Sequence, residues 1–526
     1  MLFPTVTFAV FFAVVFVGHR LLLGNRRAWT WFMLVASYVF YGWWNWKFLF
    51  LIFASSIIDY LAALKIDSTV GEKARKWWLA LSMTANLSIL GFFKYFDFFA
   101  LELANALTRL GINNTIEPLG LILPVGISFF TFQSMSYTID VYRKRLEPVR
   151  SIPEMLVFVS FFPQLVAGPI VRARLFLDRL HDPAPLRPLD PTRAYGLILA
   201  GLFKKLVIAD FLATELVQPV FSAPGNHSPL EVLLGVYGFT VQIYCDFSAY
   251  SDMAIGIAML MGFQFPINFN KPFKAVSLQD FWRRWHISLT SWLGDYLYGS
   301  LGGSTKGVRR TMINIMLTML LGGLWHGANW TFVLFGLIHG TGLIVEGAIR
   351  AREKAGYPGF AATIWRWSER TPVISIVTWP LRVLLCGTAF LWRPLGKYWV
   401  GDDYDHPRLL RRVFRTVLIY HFIAFTITLF RAQSVGRTVQ IWSRVGDLLV
   451  DLANFDMPSP GVSKAVILVL VFGLFMDGIP SRWFHRVGVW FRTLSPVPQG
   501  LLLAAAATAI DAMAVQGVAP FLYFAF

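Results

Sequence analysis

The chain of 526 residues is 56% hydrophobic and only 15% charged, with a mean hydropathy of +0.56, against about 25% charged in soluble domains. That balance excludes an ordinary soluble protein and describes a polytopic membrane protein, with no separate soluble domain. The net charge of +17 does not indicate nucleic acid, because the basic residues cluster between apolar runs, as the positive-inside bias and anionic lipid require.

Apolar runs at 2–23, 29–43 and 46–64 predict three early spans in the lipid bilayer. The first has no basic leader and its charges come late, Arg20 near its end and Arg26 and Arg27 after it, so it reads as an uncleaved span with its N-terminus outside. Trp43, Trp44 and Trp46 form an interfacial belt, and the basic segments 65–76, 143–150 and 306–310 are expected to be cytoplasmic. A span at 77–93 follows, while 96–110 carries Asp97 and Glu102 and is left unassigned. The run 119–142 contains Pro124 and Gly126, which membrane depth tolerates where protein covers the backbone, so it is expected to face the interior. The segment 158–170 is too short to span and reads as re-entrant; 172–193 is a basic, proline-rich loop.

The span at 194–217 carries Lys204 and Lys205, which must snorkel or face a wet cavity. The run 232–262 holds Gln242, Asp246, Ser248, Tyr250, Ser251 and Asp252. Asp246 and Tyr250 share a face if the helix continues; alternatively the helix breaks and Asp246 is its cap. Further spans are expected at 373–392, 413–430 and 465–479. A polar connection is expected at 402–412, an interfacial segment at 437–460, and a last apolar run at 501–524. The total is about eleven spans plus re-entrant segments. No internal repeat is visible, which weighs against a transporter of inverted halves. Cys245 and Cys386 are too few for a disulfide framework.

The stretch 278–340 places Arg283, Arg284 and three histidines in apolar surroundings, where ionisable groups mark function by default. On a helix Arg283, His286 and Thr290 share one face, while Asp280 and Arg284 form an i,i+4 pair. Arg283 and Arg284 suit an anionic ligand, the phosphates of coenzyme A for example, or else simple interfacial anchoring. His326 sits in the apolar run 312–330, where a neutral imidazole can take a proton from a hydroxyl or thiol and return it to a leaving group. Asn329 is placed to orient that ring or bind an oxyanion. The competing reading is a core histidine satisfied by a carbonyl. His339 lies about 220° further round an unbroken helix and reads as structural. No histidine spacing suits a metal, and no nucleotide-binding or nucleophile-elbow motif occurs.

FWRRWHISLTSWLGDYLYGSLGG at 281–303, GGLWHGANW at 322–330, LPVGISFFTFQSMSYTIDVYR at 123–143, FFPQLVAGPIVR at 161–172, YCDFSAYSDMAIG at 244–256 and NFNKPF at 268–273, with Phe430-Arg431-Ala432 and the tail FLYFAF, carry a resemblance. The chain resembles the membrane-bound O-acyltransferase (MBOAT) family, in its bacterial branch of alginate O-acetylation proteins. The resemblance implies an all-α membrane fold of many helices around a central tunnel, one domain over 1–526 with its catalytic core at about 120–345. It implies His326 as the catalytic histidine and His286 as the second. Trp325, Asn329, Asp246, Tyr250 and Asp252 are expected to support the site or line its tunnel.

It further implies O-acetylation of an extracellular or cell-wall polysaccharide, alginate-like before peptidoglycan or cellulose, across the bacterial inner membrane. Acetyl-CoA is the implied donor, no cofactor is tightly bound, and a periplasmic or membrane-anchored acetyltransferase is the implied partner. A polysaccharide export component without transferase activity is the reading from a different class. Ala249, Phe273 and Gly294 depart from the family pattern, Gly294 removing a charge beside Asp295.

Overall fold

A computed structural model describes residues 1–526 apart from 183, 356–405, 455–460, 516, 518 and 523–526, with backbone only at 353, 406–411 and 452. Among the described residues all regular structure is helical, which suits a backbone that must satisfy itself in lipid. The side chains of Thr5 and Asn25 accept the Phe8 and Ala28 amides and so open α1 (Val6–Leu21) and α2 (Arg26–Asn45). With α3 (Leu49–Ser68) they form the three early helices expected.

α4 (Glu72–Arg109) is a single helix of 38 residues and runs through both 77–93 and the unassigned 96–110. Asp97 explains the misleading polarity: it accepts the Leu119 and Leu121 amides at 2.7 and 2.9 Å and pins the following connection to the helix. α5 (Ile127–Tyr142) is buried along almost its whole length, as an interior segment should be. α6 (Ile152–Ser160), buried from Met155 on, leads into the segment 158–170 read as re-entrant, α7 (Phe162–Leu165) lies buried within it, and α8 (Ala173–His181) follows.

α9 (Pro191–Phe203) continues through π-helical turns at Lys204–Ala209 and Ala213–Val217. α10 (Pro229–Leu260), opened by the Ser228 and Glu231 capping box, is unbroken for 32 residues, so Asp246 is not a cap at a helix break. The lysines of 204 and 205 neither snorkel nor face a wet cavity. Lys205 is 1% exposed and lies 2.8 Å from both Asp210 and Asp246, and Lys204 lies 2.6 Å from Asp252. Burying an unpaired ammonium costs several kcal/mol, roughly, so the acids of 246 and 252 are explained by these lysines.

The remaining helices are α11 (Leu278–Trp282), α12 (Ile287–Trp292), α13 (Val308–His326), α14 (Trp330–Lys354), α15 (His406–Arg431), α16 (Val435–Ala453), α17 (Lys464–Phe475), α18 (Ser481–Thr493) and α19 (Pro496–Ala512). The last apolar run is not one span. α19 ends at Ala512 and the chain turns inward, where the Leu522 amide donates to Asp246 at 2.7 Å. The expected span at 373–392, Cys386, most of the 402–412 connection and the end of the tail lie outside the described residues. By length and composition four described stretches can cross a membrane: Arg26–Ser68, Pro229–Leu260, Trp330–Arg352 and Arg412–Arg431. A fifth is added if α17 and α18, bent by 86°, make one broken span.

The three basic segments expected on one side gather at one end of the bundle. Arg75 donates to the Tyr142 carbonyl at 2.8 Å, Arg150 pairs with Asp67 at 2.9 Å, and Arg143 reaches Ser300, just before 306–310, at 2.9 Å. Arg172 pairs with Asp295 at 2.5 Å there, which supplies the partner that Gly294 does not.

Candidate active site

The site is built on the hairpin of α13 and α14, which approach so closely that a Cβ at Gly323 or Gly336 would overlap the opposing backbone. The helix does not run through 312–330. It stops at His326 and restarts at Trp330, with Gly327 extended between them, so His326 is the last residue of its helix. The Asn329 side chain caps the restart, accepting the Thr331 amide at 2.9 Å and donating to the Gln433 carbonyl at 2.9 Å. It therefore does not orient the His326 ring.

The carbonyls left open at the end of α13 are met by two residues of α4. Lys94 Nζ donates to the Trp325 and His326 carbonyls at 2.6 and 3.1 Å and to Ser128 Oγ at 3.3 Å, and the Tyr95 hydroxyl donates to the Leu324 carbonyl at 2.9 Å. A cation at a helix C-terminus complements both the open acceptors and the negative end of the dipole. Sequence reasoning passed over Lys94, though a lone lysine between Phe93 and Tyr95 is the kind of intramembrane charge that marks a role. Lys94→Met is expected to loosen this helix end by about 1.5–3 kcal/mol, the worth of hydrogen bonds to a charged group. Faster hydrogen exchange confined to 324–331 would show it; unchanged exchange would deny the contact its weight.

His326 is 5% exposed and stands at the inner end of a cavity of about 690 Å³ lined also by Trp282, Arg283, Thr290, Gly323, Phe335, Arg350 and Lys354. Gly294 and Tyr298 at its wall belong to the segment that Arg143 and Arg172 hold, so the cavity opens at the basic end of the bundle. On the other side of His326 a void of about 20 Å³ is lined by His339, Phe247 and Phe430. The Phe430 ring lies 4.9 Å from that of His326, edge to face. His339, brought round by the break at 327–329, is bonded to Thr426 at 3.0 Å. The angle drawn for an unbroken helix does not apply, while the structural reading of His339 fits this bond.

His286 is fully buried, and its backbone is left-handed at φ 45°, a conformation that costs a non-glycine residue roughly 1–3 kcal/mol. The helix is interrupted there between α11 and α12, so Arg283, His286 and Thr290 do not share one helix face. The His286 ring lies 6.4 Å from that of His326 and 5.7 Å from that of Trp325, against Phe129 and Phe247. The two arginines part company. Arg283 is exposed at the cavity, whereas Arg284 turns to Asp280 at 2.8 Å, the pair expected, and to the Asn270 carbonyl. Sequence reasoning did not reach Arg350 and Lys354, which α14 brings back to the mouth.

Three residues expected at the tunnel do not line the cavity. Asp246 and Asp252 are engaged by the lysines, and Tyr250 packs between Phe3 at 4.6 Å and Phe521 at 5.0 Å. Trp325 supports the site from behind, its ring against Phe129 and Phe132. Among the described residues no cluster of His, Cys, Asp and Glu suits a metal ion.

A histidine at the blind end of a basic-mouthed cavity, inside a helical membrane bundle, is an arrangement suited to group transfer, and the comparisons agree with it. Residues 43–368 match MBOAT, the membrane-bound O-acyltransferase family. The chain belongs to that family: it is a multi-pass membrane O-acyltransferase. It is 41% identical over 352 residues to the "Probable alginate O-acetylase AlgI" of Azotobacter vinelandii, covering 66% of this chain and 69% of that one. To the protein of the same description in Pseudomonas syringae it is 39% identical over 381 residues, 72% and 71% of the two chains. The "Peptidoglycan O-acetyltransferase" of Helicobacter pylori is 40% identical over 344 residues, 60% of this chain and 64% of that one.

Proposed function

We propose that this chain takes an acetyl group from cytoplasmic acetyl-CoA and passes it across the inner membrane for O-acetylation of an extracellular polysaccharide, alginate-like in kind. The observation that carries the reading is the cavity, with His326 at its inner end and exposed cationic side chains, Arg283 and Lys354, at its lining. Neither of these two makes a hydrogen bond or ion pair among the described residues, so both are available to phosphate oxygens. Arg350, by contrast, is held by Glu346 and Gln279 and acts as a fixed wall.

In this reading a hydroxyl oxygen attacks the thioester carbonyl while the His326 ring takes its proton. The C–S bond then breaks and the imidazolium returns the proton to the thiolate, leaving an ester and free coenzyme A. A periplasmic or membrane-anchored acetyltransferase receives the acetyl group on the far side, because the acceptor glycan lies beyond the membrane. Identity to the Helicobacter pylori protein favours peptidoglycan as a second reading of the acceptor. Supplying acetylated-product assays with alginate oligomers and with peptidoglycan fragments in parallel separates the two.

Arg283→Ala and Lys354→Ala are each expected to raise KM for acetyl-CoA about tenfold, the value of roughly 1.4 kcal/mol of lost ion pairing, with kcat little changed. Phosphate-free acetyl thioesters should show no such change. An equal loss with both donors would mean that the two cations shape the cavity rather than hold the phosphates.

A further inference from the structure

α18 (Ser481–Thr493) has no acidic residue, and none occurs between Asp477 and Asp511. At 100° per residue, Trp483, Phe484, Val487, Trp490 and Phe491 fall within an arc of about 120°, and Arg482, His485, Arg486 and Arg492 fall within an opposite arc of similar width. The apolar arc is not turned into the bundle: Trp483 is 58% exposed, Phe484 66%, Val487 60% and Trp490 53%. The helix also leaves the direction of α17 by 86°.

Its place in the fold is the basic end. Arg492 bonds Asp190 at 3.0 and 3.1 Å, the neighbouring Leu189 amide donates to the Met259 carbonyl at 3.1 Å, Arg179 donates to the Gly262 carbonyl at 2.9 Å, and Arg26 donates to the Asp182 and Ala184 carbonyls at 2.7 and 2.5 Å. A helix set across the bundle, aromatic on one side and cationic on the other, matches a bilayer surface in shape and in charge.

We infer that α18 lies in the plane of the cytoplasmic membrane interface and docks on anionic lipid, its Trp and Phe face sunk among the acyl chains and Arg486 among the headgroup phosphates. The basic charge beside an apolar arc favours this occupant over a protein surface, which would need acidic groups and a complementary groove together. The helix thereby holds α9 at the membrane, since Arg492 ties it to Asp190 at the start of that helix.

The test places a nitroxide at Trp490→Cys and, separately, at Arg486→Cys in the full chain, with Cys245 and Cys386 replaced by alanine. The protein is reconstituted into phosphatidylcholine vesicles with and without phosphatidylglycerol. In anionic vesicles the label at 490 should collide several-fold more with oxygen than with a water-soluble nickel chelate, and the label at 486 should show the reverse. Hydrogen exchange of 481–493 in the unsubstituted chain should slow several-fold when phosphatidylglycerol is added, a reading that needs no substitution. The proposal is overturned if both labels meet the nickel chelate equally, which puts the helix in water. It is also overturned if the label at 490 is shielded from both reagents, which means that protein covers it, or if exchange is the same in both vesicle types.

Discussion

His326→Gln is expected to lower acetyl transfer by about 10²–10⁴-fold, the usual worth of a positioned general base, while detergent-extracted yield and thermal unfolding stay near wild type. Glutamine keeps most of the volume beside Phe430 and can still hydrogen-bond, but it cannot take and return a proton. The backbone anchor survives as well, because Lys94 holds the carbonyls of residues 325 and 326 rather than the ring. His286→Gln should cost transfer less, since that ring is fully buried and does not line the large cavity. Transfer and unfolding measured side by side decide the matter. Near-wild-type transfer by folded His326→Gln protein would remove the general-base role, and failure to fold would make His326 a core residue.

Lys205→Met is expected to destabilise the fold by about 3–5 kcal/mol, the cost of removing one partner from a buried ion pair. Two carboxylates, Asp210 and Asp246, each lie 2.8 Å from the one ammonium, which is 1% exposed. Without it the two buried carboxylates are left with no cation between them, and one must take up a proton or the helices must part. The same cluster fastens the end of the chain, through the Leu522 amide on Asp246 and the Phe521 ring 4.7 Å from the Lys205 ammonium. Adding Asp210→Asn and Asp246→Asn to Lys205→Met should recover most of the loss, because a neutral cluster no longer carries an uncompensated charge. Thermal unfolding of the single and triple variants in detergent checks both statements; equal stability of Lys205→Met and wild type would mean that the cluster contributes nothing.

Much of this was legible in the sequence, where apolar length gave the early helices and charge within apolar runs singled out His286, His326 and Arg283. What the sequence hid was partnership. Asp246 and Asp252 look like site residues along one chain, yet their lysines are 41 and 48 residues away, and only packing of α9 on α10 brings them together. Asn329 stands three residues after His326 in the sequence, but the break at 327–329 turns its amide to Thr331 and Gln433 instead. Lys94 was missed because its acceptors are the carbonyls of residues 325 and 326, more than 200 residues on. Arg350 and Lys354 reach the mouth only because α14 folds back along α13.

The most direct measurement is the sidedness of transfer in proteoliposomes carrying the chain in one known orientation, with radiolabelled acetyl-CoA supplied to one face at a time. Label should pass to an acceptor on the opposite face only when the donor is supplied on the face bearing 65–76, 143–150 and 306–310, and His326→Gln should abolish that signal. Transfer that is equal from either face, or that persists in His326→Gln, would contradict a donor cavity open at the basic end with His326 at its base.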